Sequence, residues 1–157
     1  MTILDLFRIL HMICYLVVVS QLLFYFTVMG DALKKGSIEN FLELRKIIDT
    51  VMVNRIKIPY YSSLFLSFVL VLLTFQHPQS YVFITGTIAF ICLLIDAFIA
   101  IKFNVPLNKL TNQWPEKSTD VNWMEVRILW LKYINYRAIF TTFGMISLFA
   151  GAVLSGN

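Results

Sequence analysis

The chain has 157 residues, of which 59% are hydrophobic and 14% charged, and a formal net charge of +4. Soluble domains average about 45–50% apolar and about 25% charged residues. This composition, with a mean hydropathy of +0.76, therefore points away from a soluble fold and towards one compact membrane domain. The basic residues flank apolar runs without a separate soluble domain, which suits anionic lipid head groups and argues against nucleic acid as a partner.

The first apolar run covers residues 3–29. Asp5 precedes Arg8, and neither a basic leader nor a small-residue cleavage site is present, so it reads as a retained first span rather than a cleaved signal peptide. Residues 38–57 follow, with Phe41, Leu44, Ile47, Ile48, Val51 and Met52 at helical spacing. They predict an amphipathic helix that lies on, or leads into, the second span, with Ser37 as a weak cap and Pro59 marking the junction. Spans at 58–75 and 81–103 are joined by "QHPQS", which permits only a tight turn. The last span, 134–154, extends backward at helical period to about residue 122, longer than a bilayer requires.

The expected fold is all-α, an integral membrane antiparallel four-helix bundle, in one domain over residues 1–157, with helices extended on one side. Lys34, Lys35, Arg45, Lys46, Arg55 and Lys57 lie between the first two spans, and Lys102, Lys109 and Lys117 between the last two. Basic loops stay inside, which puts both long connections in the cytoplasm and both termini outside.

Ionisable groups within a span are costly and need a partner or water. Counting along the helices from the outer ends places Asp96 roughly 22 Å deep and Arg137 roughly 26 Å deep, with Ser20 and Gln21 in the same layer. A buried network of Asp96, Arg137 and Gln21 is the expectation; the plainer alternative is that Asp96 snorkels or bonds to backbone. Arg8 is expected to reach outward to head groups. His11 and His77 stand apart, Cys14 and Cys92 lie singly in apolar runs, and no HxxxH, HExxH or CxxC occurs. No metal and no cofactor are expected, and no nucleophilic triad or phosphate loop is readable.

Towards the basic side the polar residues multiply. Asn104 and Asn108 lie one turn apart around Pro106, and Arg127, Trp130, Ile134 and Arg137 recur at helical spacing. Trp114, Trp123 and Trp130 alone would read as an interfacial aromatic belt. Asparagine is a poor lipid anchor, and amides in a helical membrane protein bond across helices or face a cavity. Asn104, Asn108, Trp123, Arg127, Trp130 and Arg137 are therefore the candidate ligand-binding residues. Such a lining suits a flat oxygenated aromatic, which arginine stacks on and amides hydrogen-bond.

The stretches "NVPLNKL" and "WMEVRILWLKYINYR" resemble the anthrone-oxygenase-like integral membrane family. Its four membrane helices carry an N-x-P-x-N element and a tryptophan/arginine/asparagine stretch, matched here by Asn104, Pro106, Asn108, Trp123, Arg127, Trp130, Asn135 and Arg137. Asn135 and Arg137 are closer together than that pattern has them. Most members are bacterial proteins of unknown function, which implies a bacterial inner membrane. A few fungal relatives are linked to cofactor-independent oxidation of anthrones to quinones, for which Asp96, Asp49 and Glu125 are the available bases. Two functions compete: a site that binds or oxidises a hydrophobic aromatic molecule, and a non-enzymatic subunit whose polar rim packs helices or docks a homo-oligomeric or other membrane partner. No repeat or broken-helix pair favours a channel or transporter.

Overall fold

The structure, a computed structural model, describes residues 3–115 and 121–155, and among these every regular element is helical. Helix α1, Ile3–Phe24, passes through a π-helical turn, Tyr25–Met29, into the short α2, Gly30–Lys35. Ser37 accepts a hydrogen bond from the Asn40 N–H and so caps α3, Ile38–Thr74. Ser80 caps α4, Tyr81–Ile99, in the same way. A second π-helical turn, Ala100–Asn104, leads into α5, Val105–Thr111. Asn122 caps the last helix, α6, Trp123–Leu154.

Four apolar stretches are long enough to cross a membrane: Leu4–Lys35, Asn54–Thr74, Tyr81–Thr111 and Trp123–Leu154. Their outer faces carry bare hydrophobic side chains, among them Leu6, Ile13, Phe65, Leu72, Phe98 and Ile146. In water such a surface would aggregate, whereas lipid solvates it. The chain is thus a membrane protein with four candidate transmembrane helices. Lys117, counted among the basic residues above, lies outside the described residues.

Three boundaries differ from expectation. The amphipathic segment and the second span form one helix of 37 residues, with Pro59 inside it. Proline removes one ladder hydrogen bond without unwinding a helix whose flanks are held by neighbours. Here Phe41 and Leu42 on one side of Pro59, and Leu66 and Leu70 on the other, are all buried. The first and third spans also run past residues 29 and 103, reaching Lys35 and Thr111 through the two π turns. Each continuation is anchored on its inner side, by Leu33 in α2 and by Thr111 in α5, both buried.

Helix α4 makes its broadest contact with α6, and α1 packs on both α3 and α6. Between helices in lipid the hydrophobic effect is weak, so close backbone approach and dispersion hold them. Ala89, Gly144, Ser147 and Gly151 accordingly lie buried along α4 and α6, and the Ser147 hydroxyl donates to the Thr85 carbonyl at 3.2 Å. A Cβ on Gly144 would collide with the Tyr15 hydroxyl and come within 3.0 Å of the Cys92 Cβ. Tyr15 is wholly buried, and its hydroxyl donates to the Ala89 carbonyl at 3.2 Å, so it has nowhere to go.

Gly144→Ala is therefore expected to destabilise the protein by about 1–3 kcal/mol, as overpacking does. The same substitution in a Tyr15→Phe background should cost less. Thermal unfolding in detergent reads both, and equal costs would show that the hydroxyl is not the obstacle.

Candidate functional site

Asp96 has no exposed surface although α4 is the most apolar helix of the four. Such a carboxylate must find its neutralising charge inside the protein. Arg137 of α6 supplies it, with Nε donating to Asp96 Oδ1 at 2.7 Å and Nη2 to Oδ2 at 3.4 Å. Tyr60 of α3 adds a hydroxyl donated to Oδ2 at 2.6 Å. The expected pair is present, and it ties three helices together. Gln21 is not part of it: its amide instead donates to the Met52 sulfur at 3.8 Å. Ser20, counted in the same layer, is exposed and turns back to the Val17 carbonyl. Equal depth did not bring these two side chains to the same side of α1.

At the basic end of the helices, Asn108 is a hub. Its Oδ1 accepts from Arg45 Nη2 at 3.0 Å and from the Trp130 indole N–H at 2.8 Å. Its amide nitrogen donates to Asp49 Oδ1 at 3.0 Å, while Asn112 donates to Asp49 Oδ2 at 3.0 Å. Arg45 lies 3.7 Å from Asp49, one turn on along α3. Its guanidinium also covers the Trp130 ring, 4.2 Å from the centroid. Burial pulls the Arg45 pKa below its ordinary value, and the nearby Tyr25 and Asp49 oppose that pull.

Asn104, one turn before Asn108, is buried and donates its amide to the Trp130 carbonyl at 3.4 Å. Its Oδ1 accepts nothing from the protein, and the buried Arg45 Nε likewise has no protein partner. Both residues line a cavity of about 160 Å³, together with Asp49, Asn108, Trp130 and Arg137. Gln21 and Tyr25 complete part of its wall. Each π turn contributes one wall residue, Tyr25 and Asn104. Widened turns of this kind are frequent where a helix is shaped for a site. Gly30 serves the first of them, because a Cβ there would sit 2.8 Å from the Tyr25 carbonyl oxygen.

Of the six candidate ligand residues, the cavity brings together Asn104, Asn108, Trp130 and Arg137. Arg127 faces elsewhere: its Nη1 donates to the carbonyls of Leu33 at 3.2 Å and Gly36 at 2.8 Å, capping the end of α2. With Asn135 it borders a separate groove of about 490 Å³ beside Lys34 and Lys132. Trp123 is buried in the hydrophobic core, and Trp130 is buried too, so neither serves in a lipid-facing belt. Arg8, expected to reach outward, donates to the Ser155 hydroxyl at 2.7 Å and the Gly151 carbonyl at 3.4 Å, at the end of α6. His11 is buried with Nε2 at 2.7 Å from the Ser67 hydroxyl. Among the described residues no three His, Cys, Asp or Glu side chains group to hold a metal ion.

Arg45, Tyr60 and Asn112 are not among the sequence candidates, and Asp49 stands there only as an available base. The i,i+4 spacing of Arg45 with Asp49, and of Asn108 with Asn112, was the available signal. Compared with protein families, with curated proteins and with solved structures, the chain finds no match.

Removing either partner of the buried pair should cost about 3–5 kcal/mol, because the other charge is left uncompensated. Asp96→Asn with Arg137→Gln is therefore expected to cost less than the sum of the single changes. Unfolding in detergent measures this, and strictly additive losses would contradict the pairing. Asn108→Ala removes hydrogen bonds to the Trp130 indole, Arg45 and Asp49 at once, and should cost more than the roughly 1 kcal/mol of one hydrogen bond.

Proposed function

We propose that this membrane protein binds a flat, oxygen-bearing hydrophobic molecule in the cavity formed by Arg45, Asp49, Asn104, Asn108, Trp130 and Arg137. The observation that carries this reading is the pair of unpartnered atoms: a buried acceptor, Asn104 Oδ1, and a buried donor, Arg45 Nε, on residues that share one cavity wall. An orphaned buried polar atom costs about 1–3 kcal/mol, and here a donor and an acceptor belong to residues of one cavity, where a single ligand would satisfy both. A phenol or hydroquinone supplies both complements, its hydroxyl oxygen accepting from Arg45 and a hydroxyl hydrogen donated to Asn104. The Trp130 face adds an aromatic surface.

The proposal includes the arrangement that the sequence suggests, an antiparallel four-helix bundle in a bacterial inner membrane. The basic end, with Lys34, Lys35, Arg45, Lys46, Lys102 and Lys109, then faces the cytoplasm, and both termini lie outside. The ligand site sits at that cytoplasmic end.

An oxidation of the kind the family resemblance implies would convert a ring methylene and dioxygen into a carbonyl and water. It begins with removal of a proton. Of the three carboxylates considered, Asp96 is committed to Arg137 and Tyr60, and Glu125 is exposed in the first turn of α6. Asp49 also has partners, Asn108, Asn112 and Arg45, but of the three it alone lines the cavity, and it is the base in the enzymatic form of this reading. The competing reading, a subunit whose polar rim only packs helices, is favoured by one observation: the Asn108 side chain is already engaged by Arg45, Asp49 and Trp130.

The test is binding of a simple hydroquinone, kept reduced under inert gas, to purified protein in nanodiscs, followed by titration calorimetry. The wild type is expected to bind saturably, Asn104→Leu to bind about ten-fold more weakly, as losing one buried hydrogen bond predicts, and Ser20→Ala to bind as the wild type does. No saturable binding to the wild type, or indifference to Asn104→Leu, would leave the packing reading in its place.

A further inference from the structure

We infer that the ligand is a single neutral ring carrying a hydrophobic tail, with the ring in the polar cavity and the tail in a lipid-facing groove between α3 and α4. The inference rests on the ligand-binding reading above and narrows its chemical class.

Size limits the ring. The polar cavity measures about 160 Å³. A protein cavity of about 150 Å³ holds benzene, so one substituted ring fills this site and three fused rings exceed it.

Continuity supplies the tail. A groove of about 320 Å³ lies beside the cavity, lined by Tyr60, Leu64, Ala97 and Ala100. Ile56 and Arg137 line both spaces. Ala97 of α4 and Ala100 of the second π turn leave room that larger side chains would fill, and the neighbouring Tyr61 and Ile101 are largely exposed on the lipid side. A molecule dissolved in the bilayer can therefore enter sideways, ring first, leaving its chain in the groove.

Charge selects against phospholipid. Each arginine at the cavity already has its carboxylate, Arg45 with Asp49 and Arg137 with Asp96. Asp49 stands in the wall with the two arginines, and Asp96 balances Arg137 from outside the wall, so no uncompensated positive charge draws in a phosphate. The remaining unpartnered donor and acceptor suit a neutral oxygenated ring. Lys57 borders the groove and is exposed, which keeps its ammonium free to reach the head-group level outside the ring site.

The experiment compares two probes, kept reduced, in phosphatidylcholine nanodiscs: methylhydroquinone as the bare head group, and the same ring with a decyl tail. Ala100→Phe fills the groove and is expected to weaken the tailed probe about ten-fold while leaving the bare head group within about two-fold. Asn104→Leu should weaken both. A tailed probe with a diazirine at the chain end should label peptides around Tyr61 and Ile101, which keeps the inference testable should Ala100→Phe fail to fold. Tailed-probe binding that ignores Ala100→Phe, labelling elsewhere, or competition by phosphatidylglycerol would each overturn the inference. If the bare head group still binds in those cases, only the tail assignment falls. If neither probe binds the wild type, the ligand-binding reading falls with it.

Discussion

A carboxylate buried in the most apolar helix sets the terms for everything packed around it. Asp96 cannot be left charged in a low-dielectric interior without a counter-charge, and water is not at hand there to provide hydration. Arg137 must reach it from α6 and Tyr60 from α3, at 2.7 Å and 2.6 Å. Because these contacts are short and directional, they fix the height of three helices relative to one another. Apolar side chains alone would tolerate sliding by a turn, since lipid-exposed faces are chemically uniform. The small-residue contact along α4 and α6 then lets the backbones approach closely enough for Arg137 to arrive. Electrostatics selects the register, and close packing makes it reachable.

From that fixed layer the structure becomes steadily more polar towards the basic end. Arg137 faces Asp96 on one side and the cavity on the other. Beyond it come Asn104, then Asn108 with Arg45 and Asp49, each one turn further along the helices. The two π turns flank this zone, so the backbone itself departs from regular geometry where the polar side chains gather. A cavity bordered by widened turns and unpartnered atoms costs stability. The capping of α2 by Arg127, the Arg45–Trp130 contact and the Asn108 hub surround it and offset part of that cost.

The four apolar helices and the Asp96–Arg137 pair were legible in the sequence for one reason. Lone ionisable residues in long apolar runs have few partners, and depth along a helix follows from residue count. Depth is only one coordinate, though. Gln21 and Ser20 share the layer, yet their direction around α1 takes Gln21 to Met52 and turns Ser20 outward. The partners of Asn108 were harder to see for a related reason. Arg45 and Asp49 at i,i+4 read as a solvated helix face, and only the crossing of α3 over α5 turns that face inward. Pro59 concealed the continuity of α3 and with it the role of Tyr60, because a helix break before Tyr60 would have placed it differently.

The two asparagines of "NVPLNKL" show how position divides one chemistry into two uses. Asn108 engages both ends of its amide, with the carbonyl oxygen accepting twice and the nitrogen bound to Asp49. Asn104, the same residue type one turn earlier, engages only its nitrogen and leaves Oδ1 unpartnered beside the cavity. If amides here served packing alone, both would be saturated, since each orphaned buried oxygen lowers stability with no return. The asymmetry has a physical reading: the saturated amide holds α5 against α3 and α6, and that rigid frame keeps the unsaturated one aimed at a fixed place. Pro106 between them, lacking an N–H, frees a backbone carbonyl near Lys102 in the second π turn. The end of the third span thus carries one anchoring amide and one amide kept available.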